Sequence, residues 1–283
     1  MQKMRLDVIG DPIEHSKSPI IHETVLEEQG LDFEYRKVKV EKGGLKEYID
    51  EAKRLGVCGF NVTMPHKKDI MEFLDGTDTE ALLFDSVNTV EIKDGRLFGY
   101  NTDGRGFVQA IYDLGFEICG KNVVILGAGG VASTIALKCE IEGAKKITVL
   151  NRTLSSAQTI AAELDEYECE AIAEELTTPN ITNAMPDCDI LVNATPLGMS
   201  GIENNFEDFS FFDSLKTGAL VYDLIYNPEE TEFLKEANLR GFKILNGLNM
   251  LIYQGIWADK IFLKKDLDFL YLKRKIETKL KKF

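Results

Sequence analysis

A short apolar run, Val123-Val-Ile-Leu126, passes directly into Gly127-Ala-Gly-Gly-Val-Ala132, and this junction restricts the fold more than any other stretch of the chain. Four apolar residues without polar alternation suit a strand buried on both faces, as in a parallel sheet. Gly127 and Gly129 permit a tight turn and a close approach of backbone to a pyrophosphate, whose charge then meets the N-terminus of a helix reaching to about residue 142. Further apolar strands are predicted at 147–150, 190–192, 220–224 and 242–245, separated by helical or loop crossovers that include a helix near 155–164. The alternation predicts a doubly wound, Rossmann-like sheet that binds a dinucleotide through Gly127, Ala128, Gly129, Gly130, Val131 and Ala132.

The end of the second strand of this sheet bears on which dinucleotide. An NAD site usually has Asp or Glu there to accept the ribose 2′-hydroxyl. Here the strand ends in Asn151-Arg152-Thr153, without a carboxylate. The Arg152 guanidinium can fork onto a 2′-phosphate, so NADP is the expected cofactor and NAD the weaker one. The plainer reading of Arg152 is a solvated loop arginine.

The N-terminal part follows a different pattern. A strand at 5–9 stops at Gly10-Asp-Pro12, and the loop 11–19 carries His15-Ser16-Lys17-Ser18-Pro19 before a helix reaching 29. A strand at 33–40 precedes an amphipathic helix at 45–55, which Gly56 ends. A strand at 57–62 enters Thr63-Met-Pro-His-Lys67, with a short helix at 67–74. Strands at 87–92 and 96–100 form a hairpin around Asp94-Gly95. The two patterns meet in Gly99-Tyr-Asn-Thr-Asp-Gly-Arg-Gly-Phe107, a seam at which a cleft is expected. Asp103 can N-cap a helix at 104–114, or its carboxylate can take part in chemistry at that cleft. Lys67, rooted after a strand and Pro65, is read either as a surface lysine or as an ammonium facing the seam. A lysine and a carboxylate beside a nicotinamide can exchange a proton with an alcohol or ketone while hydride moves.

Composition narrows the classes. The length of 283 residues suits about two domains, and the net charge of −14 argues against nucleic acid as a partner. The one basic cluster, 264–282, reads as the solvated face of a terminal helix. Cys58, Cys119, Cys139, Cys169 and Cys188 form no C-x-x-C pair, and Cys58 and Cys139 lie in apolar contexts that suit buried thiols, so a reducing cytoplasm fits. The three histidines have no metal-binding spacing, so no metal site is expected. The N-terminus reads as a strand instead of a signal peptide, and no apolar run is long enough to span a membrane. No heptad seam points to a partner, which leaves monomer and homodimer open.

Taken together, these segments resemble the shikimate dehydrogenase family, and the resemblance runs nearly end to end. It is carried by Gly10-Asp-Pro-Ile-Glu-His-Ser-Lys-Ser-Pro-Ile-Ile-His22, Phe60-Asn-Val-Thr-Met-Pro-His-Lys67, Ser86-Val-Asn-Thr89 and Gly99-Tyr-Asn-Thr-Asp-Gly104. Asn193-Ala-Thr-Pro-Leu-Gly-Met199, Tyr222-Asp-Leu-Ile-Tyr-Asn-Pro228 and Gly247-Leu-Asn-Met-Leu-Ile-Tyr-Gln254 complete it. The resemblance implies an N-terminal α/β substrate domain over 1–103, completed by helices at 248–283, with the nucleotide-binding domain at 104–247 and the cleft between them. It implies NADPH-dependent reduction of 3-dehydroshikimate to shikimate, with Lys67 and Asp103 as the catalytic pair. Ser16 and Ser18 would hold the substrate carboxylate, Thr63, Asn88 and Gln254 its hydroxyls or carboxylate, with Tyr226 nearby. Thr195, Leu224 and Gly247 would join Asn151, Arg152 and Thr153 at the cofactor. Taken singly, Ser18 could cap a helix, Asn88 could sit in a turn and Gln254 could be solvated.

Members of the family that use NADP commonly carry a second arginine just after the Asn-Arg-Thr segment, where this chain has Ser155-Ser156. One clamp on the 2′-phosphate is thus missing, and discrimination against NAD should be reduced. The family's usual His-Asn is His22-Glu23 here, to which little attaches. The paired serines suit shikimate better than quinate, since some quinate-preferring relatives have threonine at the second position. A quinate/shikimate dehydrogenase using NAD is the alternative, and a non-catalytic sensor of dinucleotide and metabolite the remote one. A folate-linked or amino-acid dehydrogenase would leave the Ser-x-Ser-Pro loop without a task.

Overall fold

The computed structural model describes residues 3–165 and 169–282. They divide into two compact units, Met1–Gly106 with Ile252–Phe283, and Phe107–Leu251. Each boundary lies inside a helix.

The first unit begins with β1 (Met4–Gly10), α1 (Ser18–Glu28), β2 (Phe33–Lys39), α2 (Leu45–Leu55) and β3 (Gly59–Val62). It continues through β4 (Gly76–Thr77), α3 (Thr79–Leu83), β5 (Thr89–Lys93), β6 (Arg96–Tyr100) and the start of α4 (Asp103–Asp113). Helix α2 buries Leu45, Tyr48, Ile49 and Ala52, the i, i+3, i+4, i+7 stripe of an amphipathic helix, and ends on Gly56 at φ 69°. Asp94 and Gly95, both at positive φ, make the hairpin turn between β5 and β6. The predicted helix at 67–74 is instead a 3₁₀ turn at Asp69–Phe73. Cys58, predicted to be buried, is exposed ahead of β3, and all five cysteines are free.

The sheet order is β2-β1-β3-β5-β6-β4. Strand β1 is parallel to both β2 and β3, so the chain winds to one side of β1 and then to the other. The loops leaving β1 and β3 therefore flank a topological switch point, where open α/β sheets bind ligands. Strands β5 and β6 run antiparallel, in register Asn61↔Thr89↔Tyr100. The start of β5 and the end of β6 consequently lie at the same sheet end as the loop after β3. One face packs Leu6, Val8 and Tyr35 against Leu26, Phe262 and Leu263, and the other packs Ile9, Phe60, Val62 and Val90 against α2. The buried Asp7 is paired by the Arg36 fork at 2.8 and 2.9 Å and by Tyr48 Oη at 3.0 Å, which offsets the cost of its burial.

The second unit holds β7 (Asn122–Leu126), α5 (Gly130–Ile141), β8 (Lys146–Asn151), α6 (Leu154–Asp165), β9 (Glu170–Glu175) and α7 (Thr178–Ala184). After these come β10 (Ile190–Asn193), β11 (Leu220–Asp223), α8 (Glu232–Leu239) and β12 (Lys243–Asn246). Its sheet, β12-β11-β10-β7-β8-β9, is parallel throughout, with a switch point between β7 and β10. Phe211, Phe212 and Phe233 pack with Leu126, Leu191 and Val221 in its core. Strand β9 escaped the sequence reading because Glu170-Ala-Ile-Ala-Glu-Glu175 is half-buried and polar at its ends, as an edge strand can be. Helix α9 (Gly247–Leu263) and α10 (Phe269–Leu280) follow, within one residue of the start expected for the C-terminal helices at 248–283. Among the described residues, no helix is long and apolar enough to cross a membrane.

Candidate active site

Lys67 lies on the turn that follows β3. Thr63 N–H donates to Ile9 O at 2.9 Å, His66 N–H to Thr63 O at 3.0 Å, and Val87 N–H to the carbonyl of Lys67 at 2.8 Å. The buried His66 ring adds a bond from Nε2 to Val40 O at 2.6 Å; a carbonyl only accepts, so Nε2 carries the hydrogen. The ammonium thus has a fixed root, and its Nζ lies 2.6 Å from Asp103 Oδ2. The two side chains keep 31% and 12% exposure, so the pair is rooted in protein yet reachable.

Asp103 opens α4, whose positive end favours the carboxylate. Its side chain is committed elsewhere than to capping: Oδ2 accepts from Lys67, and Oδ1 accepts from Asn88 Nδ2 at 2.9 Å. The Asp103 N–H is taken by Asn101 Oδ1 at 3.0 Å. Asn88 is buried just ahead of β5 instead of sitting in a surface turn, and its Nδ2 lies 3.3 Å from Oε1 of Gln254. Gln254 is itself buried on α9, not solvated. One ammonium, one carboxylate and two amides therefore form a bonded cluster that can exchange a proton with a hydroxyl or carbonyl and orient its neighbours.

Ser16 and Ser18 are half-buried on the loop that leaves β1, and Ser16 Oγ accepts the Ser18 N–H at 3.2 Å. The N-cap of α1 is Lys17 and no side chain caps it, so Ser18 is not the helix cap. Thr63 stands on the loop after β3, which is joined to the first by the Asp11 N–H to Met64 O bond at 3.0 Å. Both loops thus leave the carboxyl ends that flank the switch point. Tyr226 belongs to the second unit and is 37% exposed.

In that unit Gly127 adopts φ 107°, and a Cβ there would lie 2.9 Å from the carbonyl atoms of Ala194, across the β7/β10 switch point from Thr195. Gly129 N-caps α5 and Gly130 is its first residue. Around both, the space a Cβ would fill is open, so a phosphate can approach the backbone N–H groups at the helix start. Ala132 is buried and Val131 partly exposed. The Ala128 N–H donates to Asn151 Oδ1 at 3.2 Å, and Asn151 Nδ2 donates to Thr153 O at 3.0 Å, so Asn151 ties the glycine loop to the exposed Arg152-Thr153 turn. Gly247 is enforced by proximity: its Cβ would fall 2.0 Å from Leu224 O.

Residues 8–90 match the family description "Shikimate dehydrogenase substrate binding domain", and residues 110–205 match "Shikimate / quinate 5-dehydrogenase". A shikimate dehydrogenase (NADP(+)) of Methanocaldococcus jannaschii is 40% identical, over 98% of this chain and 97% of that protein. The chain belongs to the shikimate dehydrogenase family. Among solved structures, shikimate 5-dehydrogenase of Listeria monocytogenes, in complex with shikimate and NAD, is similar at TM-score 0.88 and 31% identity, covering 96% of each chain. The ligand-free 5-ketofructose reductase of Gluconobacter is similar at TM-score 0.87 and 34% identity, covering 98% of this chain and 99% of that one.

Within this family frame the sequence reading passed over two polar anchors. Asn193, at the end of β10, accepts the Thr195 N–H (3.0 Å) and hydroxyl (2.6 Å) and donates to Asp223 Oδ1 at 3.0 Å. Asp223, buried at the end of β11, also accepts from the Ile225 N–H (3.1 Å) and from Thr231 Oγ1 (2.5 Å). It thereby fixes the turn that carries Leu224 and Tyr226. The signal was present: a polar residue closing an apolar strand, in Val-Asn193 and Tyr-Asp223.

Burial raises the Asp223 carboxyl from its usual 3.8 to about 6, although the bonds from Thr231, Ile225 and Asn193 lower it. Between those two values the folded chain retains a proton that the unfolded chain has released. Its contribution to stability therefore falls as pH rises through that window and is level above it. The unfolding temperature of the parent chain minus that of Asp223→Asn should fall between about pH 4.5 and about pH 7. Thermal unfolding of both at the two pH values checks this; a difference independent of pH contradicts it.

Proposed function

We propose that this chain catalyses the reversible NADPH-dependent reduction of 3-dehydroshikimate to shikimate. The observation that carries this reading is the Lys67–Asp103 bond of 2.6 Å, braced by Asn88 and Gln254. A reduced nicotinamide held by the second unit's glycine loop would supply a hydride to the ketone carbon. The ketone oxygen gains negative charge, which the Lys67 ammonium stabilises, and the Lys67–Asp103 pair delivers the proton that completes the alcohol. Asn88 keeps a donor on Asp103 Oδ1, which fixes the side chain that holds Lys67 in place.

A small polyhydroxy acid requires many neutral donors and acceptors in one place, and a site built to bond a hydroxyl rejects analogues that lack it. Ser16 and Ser18 are assigned to the substrate carboxylate, and Thr63, Asn88 and Gln254 to its hydroxyls. Tyr226 is carried over from the family resemblance alone. The residues suited to the dinucleotide are the open Gly129-Gly130 helix start, Ala128, Val131, Ala132 and Gly127 around it, and the Asn151-Arg152-Thr153 turn with Thr195, Leu224 and Gly247. The absence of a carboxylate at the end of β8, together with the exposed Arg152, favours NADP.

Ser155-Ser156 in place of a second arginine favours one alternative, a quinate/shikimate dehydrogenase that also accepts NAD. Initial rates with shikimate and quinate, each with NADP and NAD, separate the two. Shikimate with NADP should lead by about a hundredfold, on the order of one charged hydrogen bond; equal rates with NAD or quinate favour the alternative, and no oxidation in any combination refutes the enzyme reading. Arg152→Ala should weaken NADP binding, measured by calorimetry, roughly 10-fold to 100-fold, as for one charged hydrogen bond. NAD binding should be unchanged; a parallel loss for both would assign Arg152 to the loop's structure instead.

A further inference from the structure

Behind the Lys67–Asp103 pair, and joined to it by Asn88, lies a continuous line of buried polar side chains, Tyr35, Asn61 and Thr89, to which the proposed reaction gives no part. Tyr35 on β2 donates from Oη to Asn61 Oδ1 at 2.8 Å. Asn61 on β3 donates from Nδ2 to Thr89 Oγ1 at 3.2 Å, and Thr89 on β5 donates to Asn88 Oδ1 at 3.0 Å. Asn88 Nδ2 then donates to Asp103 Oδ1 at 2.9 Å. Tyr35, Asn61, Thr89 and Asn88 are all buried. In an interior otherwise filled by Leu6, Val8 and Leu26, such a line is costly unless each member is satisfied.

Fixed backbone groups set the direction of every bond. The Thr102 N–H reaches Asn88 Oδ1 at 2.9 Å; an N–H only donates, so the amide oxygen must face it and Nδ2 must face Asp103. The Asn88 carbonyl lies 3.4 Å from Asn61 Nδ2; a carbonyl only accepts, so Asn61 turns Oδ1 toward Tyr35. Tyr35 must then donate. Thr89 has one hydroxyl hydrogen, accepts from Asn61 and spends that hydrogen on Asn88. Burial and the nearby Asp259 and Asp7 raise the Tyr35 hydroxyl well above its usual range, so it keeps its proton. The Tyr35 ring is in turn stacked on His22, 4.6 Å between centroids at 10°, and His22 Nδ1 is bonded to Asp259 Oδ1 on α9 at 2.8 Å.

We propose that Thr89 and Tyr35 are positioning residues for the reaction: Thr89 directly, and Tyr35 through Asn61 and Thr89, reinforce the Thr102 N–H in holding the Asn88 amide with its donor toward Asp103. A reversed amide would turn an oxygen lone pair on the carboxylate and weaken its hold on Lys67. Neither residue touches the reacting group, so the cost of loosening the lock reaches the reaction through Asn88, which serves both Asp103 and the substrate hydroxyls, and falls on kcat/KM for shikimate.

This inference rests on the activity proposed above, and turnover of shikimate by the parent chain is therefore the first control; its absence refutes that reading and not the relay. Thr89→Val keeps the shape and deletes the hydroxyl. It should lower kcat/KM for shikimate about 10-fold, the scale of one unmet buried bond, with kcat lowered in the same sense. Thr89→Ser should restore kcat/KM to within about 2-fold, since it keeps the bond. Tyr35→Phe, at the far end, should lower kcat/KM in the same sense by about 3-fold or more. Because both act through one line, the double variant should be no worse than Thr89→Val alone. NADP affinity serves as a control on folding and should stay at the parent value. The relay is refuted if Thr89→Val keeps the parent kcat/KM, if Thr89→Ser is as impaired as Thr89→Val, or if the two effects multiply. Should Thr89→Val not fold, Tyr35→Phe alone decides: unchanged kcat/KM refutes the relay.

Discussion

Lys67 and Asp103 are 36 residues apart in sequence and 2.6 Å apart in the fold, and much of the first unit is arranged to keep them so. The distance follows from strand direction. Strand β3 leads into Lys67 beyond its carboxyl end, Asn88 stands there just ahead of β5, and antiparallel β6 returns there to lead into Asp103 at the start of α4. Neither charge is left to the solvent alone. The Lys67 backbone is tied to Val87, and the Asp103 carboxylate is tied to Asn88. Removing one partner of such a pair leaves the other charge uncompensated, which is why the supporting amides count for as much as the pair itself.

Both units use the same topological device. In each, the chain winds away from a central parallel strand in both directions, and the loops at the resulting switch point carry the residues assigned to ligand: Gly10 to Ser18 with Thr63 to Lys67 in one, Gly127 to Ala132 with Asn193 to Thr195 in the other. The polar groups there are tied down by neighbours. Asn151 bridges the glycine loop to the Arg152 turn, and Asp223 gathers donors from Asn193, Ile225 and Thr231. Such burial of a carboxylate raises its proton affinity, so rigidity of the loops is obtained at some cost in stability near neutral pH.

Much of this was legible in the sequence, where local physics and fold agree. Helix α2 has the predicted bounds because its apolar stripe and terminal Gly56 point to the same element. The parallel strands of the second unit were readable as apolar runs, and the glycine motif as a strand-to-helix junction. Where a residue's local preference conflicts with its task, the reading slipped. Gly247 opens α9, and a glycine is required there because Leu224 O leaves no room for a side chain, a contact that no local pattern announces. Asn61 and Thr89 are polar residues within buried strands, which marks them as bonded, but only the register Asn61↔Thr89 identifies their partners. Thr102, Asn193 and Asp223 act through bonds that close only in three dimensions.

Relatives of the same fold carry the names of shikimate 5-dehydrogenase and of 5-ketofructose reductase, so fold alone does not define the ketone. The proposed reaction depends on Lys67 and Asp103 acting as one unit in proton transfer. Steady-state kinetics of Lys67→Met, Asp103→Asn and the double variant tests this directly. Each single change should lower kcat by about two orders of magnitude or more with little change in KM, and the double variant should be about as slow as the slower single one. Losses that multiply in the double variant, or a rise in KM at normal kcat, would mean that the two residues act separately or only bind.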